Sequence, residues 1–561
     1  MANYKYTSLV KIGAKAKSLH GTPKFYSGSG IQWNCGIAWM SNPFDANPFW
    51  DDVSSDLMSY SINRGRQYDL DKFESGTATI YLNNTSGNYW PNNTSGIYYP
   101  NIDIKKRVVI SVNYAGVTYP RYVGYITKFT PIYGLPGLRM PIMAIDCADA
   151  ISLISRQFLN NAGYSQEASG TRVGHVLDSI GFMTNDRSID TGDLTIQASG
   201  VLTNINAFGH LASVATSEIG LFYIATNGYA TFESKGHRKS LTSQGTFATN
   251  YPDVTLSLDD ILLYNEIRAT RTGGSEQVAD DTSSQTTYGL QQLVRSGLLH
   301  TSDVITNIYA LYLLSRYKKT AIRAYNLTVK PYSSPSTLIP LCCSADISTR
   351  ITLTIPSPSN ISKDYFIERI QEDYNASDPT QWSIKWQLSD ATQYLYPISQ
   401  QYIENLSPTA AGDVTTIMSE VPNTGEAHWQ DVDDPPASPD DSTTYVLGKG
   451  SEYDLYTLAD TSIGLGTIDK IRVYIRIFGI PGDTAYSKIK TGGTEYNGAN
   501  RNPTTTWTTY YDEYTTNPKT GFAWTWSDIN ALQAGYYLNT SDDQYGRCTQ
   551  VYVAVYYTIT W

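Results

Sequence analysis

Four short segments between Thr77 and Ile145 alternate apolar and polar residues, and this pattern restricts the fold more than any other feature of the chain. They are Thr77-Ala78-Thr79-Ile80-Tyr81-Leu82, Arg107-Val108-Val109-Ile110-Ser111-Val112, the run from Tyr119 to Lys128, and Met140 to Ile145. A period of two sends successive side chains to opposite faces of a strand, one set into a core and the other into water. Turn formers separate the segments at Ser86-Gly87-Asn88, Tyr114-Ala115-Gly116 and Tyr133-Gly134-Leu135-Pro136-Gly137. The pattern predicts an antiparallel barrel or sandwich. After it, Asp146 reads as an N-cap and Ile151, Ile154 and Phe158 as one stripe of a helix.

The flanking sequence extends this reading. Strands are expected at Tyr6–Ile12, Gly30–Met40 and Met58–Asn63. From 149 to 240 the texture is mixed. Val173, Val176, Leu177 and Ile180 mark a short helix ended by Gly181, and a second helix starts near Asn204 with Ile205, Phe208, Leu211, Ala212 and Ala215 on its stripe. Asn227-Gly228 between two apolar runs predicts a hairpin with a type I′ turn. From 241 to 405 strand signals return at 259–270, 322–329, 350–355, 365–372 and 381–388, with a helix at Val304–Tyr317 and a loop at 280–289. Pro435, Pro436 and Pro439 in an acidic stretch predict a semi-rigid linker over 406–441. The clean alternation of the final VYVAVYYTITW then predicts a jelly-roll-like β-sandwich over 442–561.

The order of several motifs carries a resemblance. Trp50-Asp51-Asp52-Val53 precedes Arg64-Gly65-Arg66; then come DKFESGTATIYLNN, PNIDIKKRVVI, GVTYPRYVGYI and IDCADA at a strand-to-helix junction. Further on, Ala207, Leu211, Ala215, Glu218 and Gly220 match a helix-to-strand segment in which Ile219 stands where the pattern has glycine. Tyr264-Asn265-Glu266-Ile267 and DDTSSQTTYG continue it. Over roughly residues 45–400 the chain resembles the tail hub proteins of tailed bacteriophages, also called minor tail or baseplate hub proteins. The resemblance implies a mainly β chain with α+β insertions and two antiparallel barrel domains, here 1–148 and 241–405, flanking an α+β domain over 149–240. It also implies a homotrimer that closes or continues a hexameric tail tube at the virion tail tip, made in the host cytoplasm. Its expected partners are itself, the tail tube and distal tail proteins, and tail fibre or receptor-binding proteins, with DNA only passing through the lumen.

Composition and motif content agree with a structural rather than catalytic chain. The net charge of -11 lacks the basic face a nucleic-acid binder needs. No apolar run approaches the roughly 18 residues of a membrane helix. Cys35, Cys147, Cys342, Cys343 and Cys548 show no metal or disulfide spacing, and buried free thiols are expected. The six histidines form no H-E-x-x-H, and neither G-x-S-x-G nor a P-loop is present. No catalytic, cofactor or metal residues are therefore assigned. Cys548 and His428 do not read as a peptidase dyad, because their surroundings match no such signature.

Two stretches remain as binding candidates. Trp507, Tyr510, Tyr511, Trp524 and Trp526 lie in an aromatic-dense run, either a platform for a host-surface glycan or another partner, or alternating core residues. The acidic residues Asp431, Asp433, Asp434, Asp440 and Asp441 read as a solvated linker rather than a calcium site. The alternative function is a carbohydrate-binding or carbohydrate-cleaving surface protein acting through its C-terminal sandwich.

Overall fold

The computed structural model of the chain describes residues 6–12, 51–100, 102–133, 140–357, 359–391, 399–417, 419–422, 425, 427–540 and 546–560. The expected Gly30–Met40 strand, Cys35 and the Gly134–Gly137 turn lie outside the described residues. Strand outweighs helix, 46% against 17%, so the mainly β class holds. The chain divides into two units, 1–396 and 397–561.

In the first unit the alternating segments form the expected antiparallel strands. Ala78, Ile80 and Leu82 of Thr77–Asn83 are buried, while Thr77 on the other face is exposed. The two expected barrels, however, are not separate. Thirteen strands from both make one sheet, and no sheet closes among the described residues. The sheet runs from Asp253–Ser257 through Arg323–Val329, Ser383–Asp390 and Ile361–Asn375. It continues through Leu57–Gly65, Thr77–Asn83, Ile142–Ala148, Val117–Ile132 and Arg107–Tyr114 to Tyr6–Ile12 and Asp51–Asp52. One core serves both halves: Ile62, Ile80 and Ile145 belong to the same apolar cluster as Leu327, Ile367 and Trp386.

The join lies on Ile361–Asn375. One edge of this strand pairs with Ser383–Asp390. On the other edge, Ile361 to Phe366 pair with Arg350–Ile355, whereas Arg369 to Asn375 pair with Leu57–Gly65. The register against Ser383–Asp390 shifts between Ile367 and Arg369, so a bulge falls at Glu368, where the opposite edge changes partner.

Segment 149–240 is built on two longer helices, two short ones and a hairpin that Arg187–Ile189 extends to three strands. Ser169–Ser179 buries Val173, Val176 and Leu177 as its spacing predicts. Ala207–Glu218 is capped by Asn206, whose side chain accepts from the Gly209 amide at 2.8 Å. It ends at Ile219, which takes a left-handed φ of 60°. Leu221–Ile224 and Ala230–Glu233 pair as the expected hairpin. Only Gly228 of the Asn-Gly pair has positive φ, so the turn is not type I′.

Three local expectations need correction. Asp146 lies within strand Ile142–Ala148; the N-cap is Ala150, without a side-chain cap, and Asp149 before it accepts from the Ile151 amide at 2.9 Å. The helix is only Ile151–Ile154, and Phe158 begins a strand with its side chain exposed. The expected loop at 280–289 contains helix Thr282–Tyr288, capped by Asp281.

The second unit holds a six-stranded and a five-stranded antiparallel sheet. Their buried faces meet where Leu538 lies against Gly546. The linker expected over 406–441 is instead part of this unit. Ser399–Leu406 pairs with the final strand Gly546–Thr560, Pro408–Thr415 with Ser451–Leu458, and Ser419–Val421 with Tyr445–Gly448. The proline-rich piece is strapped down as well. Val432 O accepts from the Val551 amide at 2.9 Å, Pro435 O accepts from Gln550 at 2.8 Å, and Asp441 pairs with Arg476 at 2.5 Å. Prolines lack an amide donor, but their carbonyls still accept, so the stretch expected as a semi-rigid linker is docked as a strap.

A chain ending at Tyr396 should therefore fold, whereas one ending at Gln430 should not stay soluble. The shorter chain keeps the first unit whole. The longer one leaves strands 399–406, 408–415 and 419–421 without partners. Expression of both, followed by circular dichroism and size exclusion, checks this; a well-behaved Gln430 truncation would contradict it.

Candidate functional site

The seam of the first unit is built from the Arg64-Gly65-Arg66 motif and two glutamates four residues apart on Ile361–Asn375. Gly65 has φ +109°, and a Cβ there would sit 2.2 Å from the Glu368 carbonyl oxygen. Glycine is thus required for the two strands to approach this closely. The next amide, of Arg66, donates to that carbonyl at 3.0 Å.

The Glu368 side chain, 1% exposed, is fully engaged. It accepts from Arg66 Nε at 2.7 Å, Arg238 Nη1 at 2.5 Å and Ser389 Oγ at 2.6 Å. Burial alone would raise its pKa, but the Arg238 and Arg66 guanidinia hold it well below the usual carboxylate range. Glu372 gathers a second set. Arg121 donates through Nε to Oε2 at 2.9 Å, while the Tyr60 hydroxyl and Trp382 Nε1 donate to Oε1 at 2.9 and 3.0 Å. Arg121 also donates to Cys343 O at 2.9 Å. Arg64 reaches the remaining segment, donating to Ile224 O at 2.8 Å and to Asp346 at 2.9 Å. One tripeptide thereby ties together residues from all three stretches read as separate domains.

On the sheet face away from the core, the same seam forms an open recess of about 320 Å³. Ser61, Asn63, Thr77, Thr79, Gln371 and Ser383 line it, with one carboxylate, Asp373, and one ammonium, Lys385. No aromatic ring lines it, and the Arg369 guanidinium reaches its edge, donating to Asn63 at 2.7 Å.

The candidate aromatic residues of the second unit do not form one platform. Trp524 is buried, at 4% exposure, and its Nε1 donates to Tyr514 O. Trp526 donates to Gly466 O and packs edge-on against Tyr557. The Tyr510 hydroxyl donates to Asn502 O. Trp507 packs against Tyr445 and Phe478. Tyr511 alone among the five is openly exposed, at 45%. It meets Tyr474, which stacks in turn on Tyr552, and neither of these was singled out from the sequence.

His428 and Cys548 have different partners. His428 Nδ1 lies 2.8 Å from Asp454 Oδ2, and the other Asp454 oxygen accepts from the Thr416 and Ile417 amides. The Asp454 hydrogen bond, opposed by burial and helped by the charges of Asp454, Glu420 and Asp431, raises the His428 pKa. Cys548 Sγ donates to Gln550 O, and burial pushes its thiol up, the reverse of what a nucleophile needs. Cys147, Cys342 and Cys343 are likewise buried free thiols. Among the described residues no group of His, Cys, Asp and Glu could hold a metal ion, and no helix is long and apolar enough to cross a membrane.

No protein-family model and no curated protein matches the chain. Solved structures similar to it include phage or prophage tail proteins and a secretion-system component. A 43 kDa tail protein of prophage MuSo2 from Shewanella oneidensis shares 12% identity, with 70% of this chain and 98% of that one covered and a TM-score of 0.43. A tail protein from Neisseria meningitidis MC58 shares 10%, covering 69% and 97%, with a TM-score of 0.42. The Escherichia coli c3393 protein shares 10%, covering 65% and 83%, with a TM-score of 0.35. It is described as a type VI secretion component structurally similar to the T4 tail proteins gp27 and gp5.

The seam and the His428 tie should respond to pH in opposite directions. Glu368 has a folded pKa below its unfolded value of about 4.3, so its stabilisation is present above that value and is lost as pH falls through the folded one. His428 is raised, so its contribution is complete below about pH 6.5 and is lost as pH rises through the folded value. Scanning calorimetry across pH should show the Glu368→Gln seam weakened by roughly 3–5 kcal/mol near neutrality. That variant should also lose part of the acid sensitivity of the first transition. The His428→Gln variant should flatten the alkaline limb of the second.

Proposed function

We propose that the chain is a structural virion protein, the tail-tip or baseplate hub of a phage, acting as a homotrimer that closes or continues the hexameric tail tube. The observation that carries this reading is the seam. Two strand sets that would pseudo-repeat around a tube are locked into one sheet by buried arginine–glutamate contacts, while the recess beside the seam stays open and polar. The motif order around Arg64-Gly65-Arg66 supports it from the sequence side. In this reading the recess around Ser61, Thr79 and Gln371 belongs to the lumen wall. Hydroxyl and amide groups with one carboxylate and one ammonium give phosphates little counter-charge to hold, and DNA only passes through.

The remaining partners follow from the same reading: the tail tube and distal tail proteins along the axis, and tail fibre or receptor-binding proteins at the periphery. The second unit is the peripheral interaction domain. A catalytic role is not part of the proposal.

Light scattering coupled to size exclusion tests the assembly, with a trimer expected and a monomer at all concentrations contradicting it. A second test addresses the wall. Ser61→Arg combined with Gln371→Arg should leave assembly intact and slow DNA ejection from reconstituted particles. Unchanged ejection kinetics would remove the recess from the lumen.

A further inference from the structure

We propose that a pocket in the first unit binds a small monocarboxylate, its carboxylate on Arg295 and its apolar body against Ala212, Ala215 and Leu313. The pocket shares no residue with the recess on the outer sheet face.

Two helices, a loop and a strand wall this pocket, whose volume is about 60 Å³. Helix Ala207–Glu218 presents Phe208, Ala212 and Ala215 on one stripe, and the two alanines leave room that longer side chains would fill. Helix Asp303–Tyr317 adds Tyr309, Leu313 and Tyr317, each no more than 2% exposed. Loop 66–73 forms another side, and Arg295 enters from strand Gln292–Leu298. The space holds about four to six waters, the bulk of a short-chain acid.

The charges around the pocket balance with one exception. Arg66 is engaged by Glu368 at 2.7 Å. Arg316 faces Asp69 at 3.6 Å and donates to the Tyr312 hydroxyl at 3.1 Å. The Tyr317 hydroxyl donates to the same Asp69 oxygen at 2.7 Å. The other Asp69 oxygen is buried without a hydrogen bond, and Arg316 meets its charge. Asp71 and Lys72, both exposed, are adjacent and of opposite sign. Arg295 is the exception. Its guanidinium donates to Leu70 O at 3.0 Å and hydrogen-bonds the Tyr309 hydroxyl, and among the described residues it meets no carboxylate. Burial raises the Tyr309 pKa, and the charge and hydrogen bond of Arg295 oppose that rise.

One uncompensated guanidinium beside an apolar floor calls for a single negative charge on an apolar body. A planar carboxylate matches the guanidinium fork with two parallel hydrogen bonds, and the partly enclosed setting strengthens the contact relative to open water. An ammonium ligand would meet Arg295 as a like charge. A dianion such as phosphate would bring a second charge against Ala212 and Leu313 with nothing to meet it. A free short-chain acid and the C-terminus of a peptide carry the same chemistry.

Isothermal titration of the full-length chain with sodium propionate, at ionic strength held constant with sodium chloride, tests this. Saturable binding at one site is expected, with propionamide, propylammonium and inorganic phosphate each about tenfold weaker or more. Arg295→Gln, which keeps a donor for Leu70 O, should weaken propionate about tenfold or more. Ala212→Val, which narrows the cavity and leaves the charge in place, should weaken it as well. Arg268→Gln, which removes a guanidinium already paired with Glu266 and Glu276, should leave it unchanged. If Arg295→Gln melts early, the Ala212→Val titration decides. N-acetylalanine binding more tightly than propionate would assign the site to a peptide C-terminus, and weaker binding would assign it to a free acid. No saturable binding, equal affinity for propionamide, or unchanged affinity in Arg295→Gln or Ala212→Val would overturn the proposal.

Discussion

Glu368 and Glu372 are the constraint on which the first unit depends. Both are 1% exposed, and both belong to the strand that the two halves share. Burying a carboxylate is costly unless its lone pairs are filled and its charge is met. Here every partner comes from a different part of the chain: Arg66, Arg238 and Ser389 for one, Tyr60, Arg121 and Trp382 for the other. Net stabilisation from such pairs is modest, because desolvation offsets most of the attraction. Their larger effect is on specificity. Any alternative register between the halves would leave a buried charge without its partner.

That dependence explains what could be read in advance and what could not. Alternation in Thr77–Asn83 and Arg107–Tyr114 is a local signal, and those strands form as expected. The pairing of Gly65 with Arg369 spans some 300 residues, and no periodicity encodes it. The Arg64-Gly65-Arg66 motif stood out, but its partners did not, since Glu368 and Glu372 look like any acidic residues on a strand. Ile219 is a different case. It stands where the resembling pattern has glycine, and the structure puts it at φ 60°, a conformation glycine adopts freely.

The second unit shows the limits of composition. Acid and proline between 406 and 441 suggested a chain in water. The paired strands and the Asp441–Arg476 contact make it a strap instead. The aromatic run is visible, yet burial divides it: Trp524 belongs to the interior, and Tyr511 to the surface, where it meets Tyr474, itself stacked on the buried Tyr552. Cross-strand register set that row, and it brings together residues far apart in sequence.

A continuous sheet with a polar recess on its outer face suits, in the proposed role, a wall past which a polyanion must move without binding. The most direct measurement is a symmetric cryo-electron-microscopy reconstruction of the tail tip with this chain in place. The account predicts three copies around the axis, with Ser61, Thr79 and Gln371 facing the lumen. A tip that lacks the chain, or a reconstruction in which this face is packed against another protein, would contradict it.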